Sequence, residues 1–335
     1  MNNKVFIVAE LSANHNQKKE IALESIKAAK DAGADAVKIQ TYTADTLTLN
    51  CDNKYFQIKQ GTLWDGSTLY KLYQQAYTPW EWHSELFDYA KSLKIPLFST
   101  PFDKTAVDFL EELDNPIIKI ASFELVDIPL IEYAASKGRP MIMSTGIASL
   151  DEIQEAVDTC RKVGNNDITL LKCTSSYPAP LNEANLLTIP DMAKRFKCKV
   201  GLSDHTMGDI AVCTAVALGA QVIEKHFIID RAIGGPDAAF SMTKEEFAEM
   251  VNRIRKTEEC LGSVSYELSE KMKVNRKFAR SLFACADIKK GDVFTEENIR
   301  SVRPGDGCSP KYFPDLLGKP SDRDYNFGEP IIWNE

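Results

Sequence analysis

Two short apolar runs of this chain each end in a histidine: Val200-Gly201-Leu202-Ser203-Asp204-His205 and Val222-Ile223-Glu224-Lys225-His226. The sequence holds only 4 histidines in 335 residues. Imidazole is a common ligand for divalent metals, and parallel strands can carry ligands distant in sequence to one edge of a sheet. If the two runs are neighbouring parallel strands, the helix-sized stretch between them sets both rings at the same end. A lone histidine there reads better as a hydrogen-bonded core residue. Two at matching strand ends, with Asp204 and Glu224 beside them, point to a metal site. Side chains alternate along a strand, so Ser203 shares a face with His205 and Glu224 with His226, while Lys225 faces away and reads as structural.

Three lysines extend the pattern. Lys38, Lys119 and Lys172 stand inside the second, fourth and sixth strand-like runs. An ammonium is costly to bury without a partner, so three of them suggest an anion site. Hydroxyls and backbone amides nearby would complete a phosphate cradle. The run ends supply Glu10, Gln40, Ser99, Thr100, Ser122, Glu124, Ser144, Thr145, Thr174 and Ser175. Two chemistries can use this inventory. One is a Schiff-base aldolase with a lysine nucleophile. The other is metal-assisted carbon–carbon bond formation, with a cation polarising an aldehyde while lysines grip a phosphate. The histidine pair favours the second, and a binding scaffold would not need so many polar residues at strand ends.

Short β-branched runs alternate with amphipathic stretches from residue 4 to about 260 and predict eight strands. These are Val5–Ala9, Ala36–Gln40, Pro96–Ser99, Ile117–Ala121, Pro140–Ser144, Ile168–Cys173, Lys199–Ser203 and Gln221–His226. Predicted helices between and after them include Ile21–Ala32, Trp80–Ser92, Lys104–Glu112, Ile128–Ser136, Leu150–Val163, Ile210–Leu218 and Lys244–Cys260. The order fits an α/β fold of the (β/α)8 TIM-barrel type, in which strand C-termini converge on one mouth. A doubly wound sheet has the same periodicity, but no Gly-x-Gly-x-x-Gly turn follows the first strand. A long insertion, roughly Thr43–Thr78, carries Trp64, Tyr70 and Tyr73 and reads as a lid or binding loop. The barrel is expected over residues 1–262, a linker over 263–275, and a small β-rich domain with many turns over 276–335.

Composition narrows the setting. A net charge of −8 disfavours nucleic acid as a partner. No apolar run approaches the ~18 residues of a membrane span, and the start lacks a signal-peptide pattern. The 8 cysteines show no Cys-x-x-Cys pair, and Cys173 and Cys213 sit in apolar patterns as small hydrophobes. A cytoplasmic protein is expected.

Motifs in order along nearly the whole chain resemble the bacterial sialic acid synthase family. They include Ala9–His15, Val37–Thr41, Ser99–Phe102, Lys119–Glu124, Ser144–Gly146, Lys172–Thr174 and Tyr177-Pro178. Gly201–Thr206, Glu224–Phe227, Gly235–Asp237, Arg280–Leu282 and Arg303–Gly305 continue the series. The resemblance implies a catalytic barrel followed by an antifreeze-like SAF domain. It also implies condensation of phosphoenolpyruvate with the open aldehyde form of an N-acylated amino sugar. His205 and His226 would hold Mn2+, with Mg2+ or Co2+ as alternatives. Lys38, Lys119, Thr100, Ser122, Ser144 and Ser203 would grip phosphate and carboxylate. Glu124, with Glu10, would orient the sugar or manage a water proton, and Tyr177 and Asp237 would line the sugar pocket. Arg303 would reach the acyl group from the partner of a domain-swapped homodimer. Phe123, Ser175, Gly61–Asp65 and Trp80–His83 lean toward the pseudaminic acid branch, Phe123 as a bulky pocket wall. N-acetylneuraminate or legionaminate synthesis is the alternative. His15 is expected either near the mouth or holding backbone, and His83 to be structural.

Overall fold

The computed structural model describes residues 4–59, 61 and 64–333. Of the Gly61–Asp65 motif, Thr62 and Leu63 lie outside the described residues. Eight parallel strands close on themselves, with β1 (Phe6–Glu10) paired to both β2 (Ala36–Thr41) and β8 (Val222–His226). Between them run β3 (Leu97–Pro101), β4 (Ile118–Ile120), β5 (Met141–Ser144), β6 (Ile168–Cys173) and β7 (Lys199–Asp204). The fold is a TIM-type barrel.

Helices α1 (Lys19–Asp31), α4 (Trp80–Ser92), α5 (Lys104–Glu112), α6 (Ile128–Ser136), α7 (Leu150–Lys162), α8 (Thr188–Phe196), α9 (Ile210–Ala217) and α10 (Lys244–Leu261) follow successive strands. Local chemistry starts several of them. The Ser149 hydroxyl takes the Glu152 N–H while Glu152 reaches back to Ser149, and Thr243 and Glu246 repeat this capping box on α10. Asp103 and Asp127 cap α5 and α6. The insertion after β2 carries two helices, α2 (Ala44–Leu47) and α3 (Leu69–Ala76).

Period-two alternation sorts each strand into two faces. One set, including Ile7, Val37, Ile39, Met143, Leu170, Leu202 and Ile223, belongs to the large apolar layer shared with the helices. The other set fills the barrel: Val8, Ala36, Phe98, Ile142, Leu171 and Val222, with Phe6 and Ile117 against them, form a separate apolar floor. Gly201 belongs to this layer. A Cβ there would meet Val222 O at 2.2 Å and Leu171 Cδ2 at 2.7 Å, so only glycine lets β7 and β8 approach as they do.

The chain divides after Gly262 into a barrel unit and a C-terminal unit. Residues 263–269 are irregular, and the second half of the expected linker is a short helix, α11 (Glu270–Asn275). The C-terminal unit has a two-stranded antiparallel sheet, β9 (Ser281–Ala284) with β10 (Ile299–Val302), and a short helix, α12 (Phe313–Leu316). Its own core gathers Leu282, Ala284, Ile288, Phe294, Ile299, Leu316, Tyr325 and Ile331.

Candidate active site

Two residues beyond the apolar floor, each strand places its next inward side chain. Val8 is followed by Glu10, Ala36 by Lys38, Phe98 by Thr100, and Ile117 by Lys119. Ile142 is followed by Ser144, Leu171 by Cys173, Gly201 by Ser203, and Val222 by Glu224. The result is a ring of buried polar side chains on an apolar base, one from every strand.

The ring is wired through Glu224. Its Oε1 is 3.2 Å from Lys38 Nζ and 3.8 Å from Lys119 Nζ, and it accepts the Ser203 hydroxyl at 3.0 Å. Lys38 also pairs with Glu10 Oε2 at 3.0 Å and approaches Thr100 Oγ1 at 3.4 Å. Lys119 donates to Ser144 Oγ at 2.7 Å, and Gln40 donates to Glu10 Oε1 at 2.9 Å. Burial and Lys38 hold Lys119 down to about 8 against the opposing pull of Glu224. For Lys38 the two carboxylates outweigh burial and raise it. Burial would raise Glu224, but the two lysines together hold its carboxyl below the usual range.

Above the ring, the loops after β4, β5 and β6 meet. Gly146 N–H donates to Ser122 Oγ at 3.1 Å, and a Cβ on Gly146 would stand 2.1 Å from Ser175 Oγ and 2.8 Å from Ser122 Oγ. A backbone N–H and two hydroxyls thus converge where only glycine leaves room. Glu124, on the turn with Ser122, has an oxygen buried without a hydrogen-bond partner. Burial pushes this carboxyl up to about 7, against the pull of its own N–H and of Lys119.

His205 and His226 lie side by side at the mouth, ring centres 5.2 Å apart. Their nitrogens are placed differently. His205 Nδ1 faces the Thr174 carbonyl at 3.1 Å and Cys173 Sγ at 3.7 Å. His226 Nδ1 is buried with no hydrogen-bond partner. Burial, then the positive groups around it, hold His226 well below the usual imidazole value, which leaves it neutral as a metal ligand requires. Among the described residues no group of three or more His, Cys, Asp or Glu is arranged to hold a metal. Two imidazoles on one ion at ~2.1 Å have ring centres roughly 5 Å apart, so this pair fits two positions of a divalent cation, the rest left to water or substrate oxygen.

An aromatic wall borders the pair. The Tyr177 ring is 4.3 Å from His205, Phe240 is 5.0 Å from His226, and Trp64 of the insertion lies 5.9 Å from Tyr177. Asp237 is buried nearby and accepts the Ala13 N–H at 3.4 Å.

Several expectations need correction. Lys172 does not join Lys38 and Lys119: Leu171 and Cys173 take the inner face of β6, so Lys172 points the other way and donates to Cys173 O at 2.7 Å. Cys173, read as a small hydrophobe, is the inward residue; counting in twos from Leu171 would have shown it. Ser99 also faces outward, bonded to Thr41, which in turn meets the structural His83. Phe123 is 56% exposed and forms no buried wall. His15 keeps to its expectation of holding backbone: its Nδ1 accepts the Gln17 N–H at 3.2 Å, its Nε2 meets Thr78 Oγ1 and its ring meets the edge of Trp82. Arg303 is exposed on the C-terminal unit.

Comparison with known proteins places the molecule. Residues 25–266 match the NeuB family model, and residues 279–335 match the SAF domain. The chain belongs to the NeuB family. It is 50% identical over 328 residues to the pseudaminic acid synthase of Campylobacter jejuni serotype O:2, covering 98% of this chain and 95% of that one. The N,N'-diacetyllegionaminic acid synthase of the same organism is 39% identical over 332 residues, covering 98% and 99%. Among solved structures, the spore coat polysaccharide biosynthesis protein SpsE of Bacillus subtilis aligns with a TM-score of 0.68 at 36% identity, over 99% of this chain and 95% of that one.

Proposed function

We propose that this NeuB-family chain is a pseudaminic acid synthase, condensing phosphoenolpyruvate with 2,4-diacetamido-2,4,6-trideoxy-L-altrose to give pseudaminic acid and phosphate. The observation that carries the choice of sugar is the contrast between two synthases of one organism: 50% identity to the pseudaminic enzyme against 39% to the legionaminic one. The lysine ring supports the choice of donor, because an enol phosphate brings a phosphate and a carboxylate that need paired cations. Lys38, held charged by Glu10 and Glu224, suits an anion grip rather than a Schiff-base nucleophile.

In this reading Lys38, Lys119 and the hydroxyls of Thr100, Ser122, Ser144, Ser175 and Ser203 hold phosphoenolpyruvate in the ring. A divalent cation on His205 and His226, Mn2+ with Mg2+ or Co2+ as alternatives, supplies polarisation of the sugar aldehyde when bound. Tyr177 and Asp237 orient the sugar so that its aldehyde carbon faces C3 of the enol, and the new carbon–carbon bond forms there. As the enol π pair forms that bond, the aldehyde C=O pair moves onto its oxygen, and water adds at the electron-poor C2. Glu124, aided by Glu10, takes a proton from this water, which balances the proton gained by the sugar oxygen. The tetrahedral C2 then expels phosphate by C–O cleavage as its hydroxyl gives up a proton and becomes the C2 carbonyl. Glu124 near 7 suits this role, since a base works best when its pKa lies near the working pH.

The proposal extends to a cytoplasmic, domain-swapped homodimer in which Arg303, exposed on the SAF-matching segment, meets the acyl group of the sugar in the other barrel. None of the helices is long and apolar enough to cross a membrane, among the described residues. The test is phosphate release from phosphoenolpyruvate against a panel of acceptors. The diacetamido-trideoxy-altrose should give the highest kcat/KM. A preference for N-acetylmannosamine, or for the legionaminate precursor, would reassign the sugar.

A further inference from the structure

Directly behind the two histidines, on the opposite face of the same strands, lies a polar device that the reaction scheme leaves unused. Asp204 precedes His205, Lys225 precedes His226, and the two are direct cross-strand partners in the β7–β8 register. Both are almost fully buried, at 3% and 1% exposure. Lys225 Nζ donates to Asp204 Oδ2 at 2.5 Å, to Thr206 O at 2.5 Å and to Gly208 O at 3.0 Å. Asp204 in turn accepts the Thr206 N–H at 3.0 Å and the Thr206 hydroxyl at 3.1 Å. All three Lys225 protons are therefore used, and His205 is flanked on both sides by residues pinned to β8.

The surroundings make this arrangement unexpected for stability alone. The neighbouring positions on this face, Leu202, Ile223 and Phe227, belong to the large apolar layer. A buried ion pair is costly to desolvate and is weak evidence for stability; its best-attested use is to fix register. Register is what the mouth needs, because the separation of the two rings depends on how β7 and its following loop sit against β8. The Thr174 carbonyl meets His205 Nδ1 only while that loop stays in place.

We infer that Lys225 and Asp204 are positioning residues that set the spacing and aim of the His205–His226 pair, and so the affinity of the site for a divalent cation. This rests on the reading that the two histidines bind such an ion. Groups that orient metal ligands from behind typically contribute about 10- to 100-fold in metal affinity.

The test uses the full-length protein, stripped with chelator and titrated with Mn2+ alone, followed by calorimetry and by the electron paramagnetic resonance spectrum of the bound ion. Three variants are compared with the wild type: Lys225→Met, Asp204→Asn and the double replacement Asp204→Leu with Lys225→Met. The double variant, which also strips Thr206 and Gly208 of their partners, is expected to melt lower and, where folded, to bind Mn2+ about 10- to 100-fold more weakly, with an altered spectrum. An Ile254→Ala variant in α10, destabilised away from the site, is the control and should bind Mn2+ as the wild type does. Should no ion-pair variant fold, Thr206→Val decides, since it keeps the ion pair and removes one bond: weakening of about threefold or more is the expected result. Folded variants that bind Mn2+ like the wild type would overturn the inference and leave the metal reading standing. A wild-type protein that takes up no Mn2+ overturns both.

Discussion

Lys38 and Glu224 form a 3.2 Å ion pair at the centre of the barrel, with both side chains almost completely removed from water. The same Glu224 oxygen reaches toward Lys119, so one carboxylate holds both cations of the anion grip in place before any substrate arrives. Lys119 is the weaker of the two, held at about 8 by burial and by Lys38. It is charged below that pH and neutral above it. The KM for phosphoenolpyruvate should therefore rise as pH passes upward through about 8. Glu224→Gln removes the counter-charge and should move that rise to lower pH by roughly one unit or more. Profiles of KM against pH for the two proteins check this, and identical profiles would remove Glu224 from the grip.

Glu124 gives the opposite limb. Its carboxyl is raised to about 7 by burial, so it is protonated below that value and ionised above it. A base must be ionised to accept the water proton. The kcat of the wild type should fall as pH drops through about 7. Glu124→Gln should lose that limb and about 10²- to 10⁴-fold in kcat, with the melting temperature little changed. Pre-steady-state and steady-state rates across pH 5–9 supply the measurement. A Gln variant with an unaltered acid limb would transfer the role to another carboxylate, Glu10 first.

Gly146 tests the phosphate cradle by shape. A methyl group there would stand 2.1 Å from the Ser175 hydroxyl and 2.8 Å from that of Ser122. Gly146→Ala should therefore push the two hydroxyls apart and raise the KM for phosphoenolpyruvate by about 10- to 100-fold, while the sugar KM moves little. Equal changes in both constants would mean that the loop, rather than the cradle, had been disturbed.

Much of this site was legible because strand alternation is a hard geometric rule. Once Val222 is inside the barrel, Glu224 and His226 must be inside and Lys225 outside, and the structure keeps that order. Lys172 obeys the same rule in reverse: it shares its residue type with Lys38 and Lys119, but the count from Leu171 turns it to the other face. Cys173 was hidden by chemistry, since a cysteine in an apolar run looks like any small hydrophobe. Phe123 could not be placed by alternation, because it sits on a 3-10 turn just past β4, where the period of two no longer applies. Helix α8 leaves little signal in the sequence, because it starts without a side-chain cap and carries Pro190 in its first turn, where a missing N–H costs little. Helix α3 lies inside the insertion and has no fully buried residue, so it stands apart from the core that the barrel's apolar pattern traces. The hub role of Glu224 depends on which cations surround it in space, and no linear pattern records that.

The central claim is that the adjacent imidazoles of His205 and His226 hold the cation on which turnover depends. The most direct measurement is phosphate release from phosphoenolpyruvate and the diacetamido sugar by chelator-stripped protein, before and after Mn2+ is restored. The wild type should be silent when stripped and recover on adding Mn2+. His205→Ala and His226→Ala should stay silent in both states, while keeping the wild-type melting temperature. Full activity in chelator, or from either alanine variant, would contradict the account.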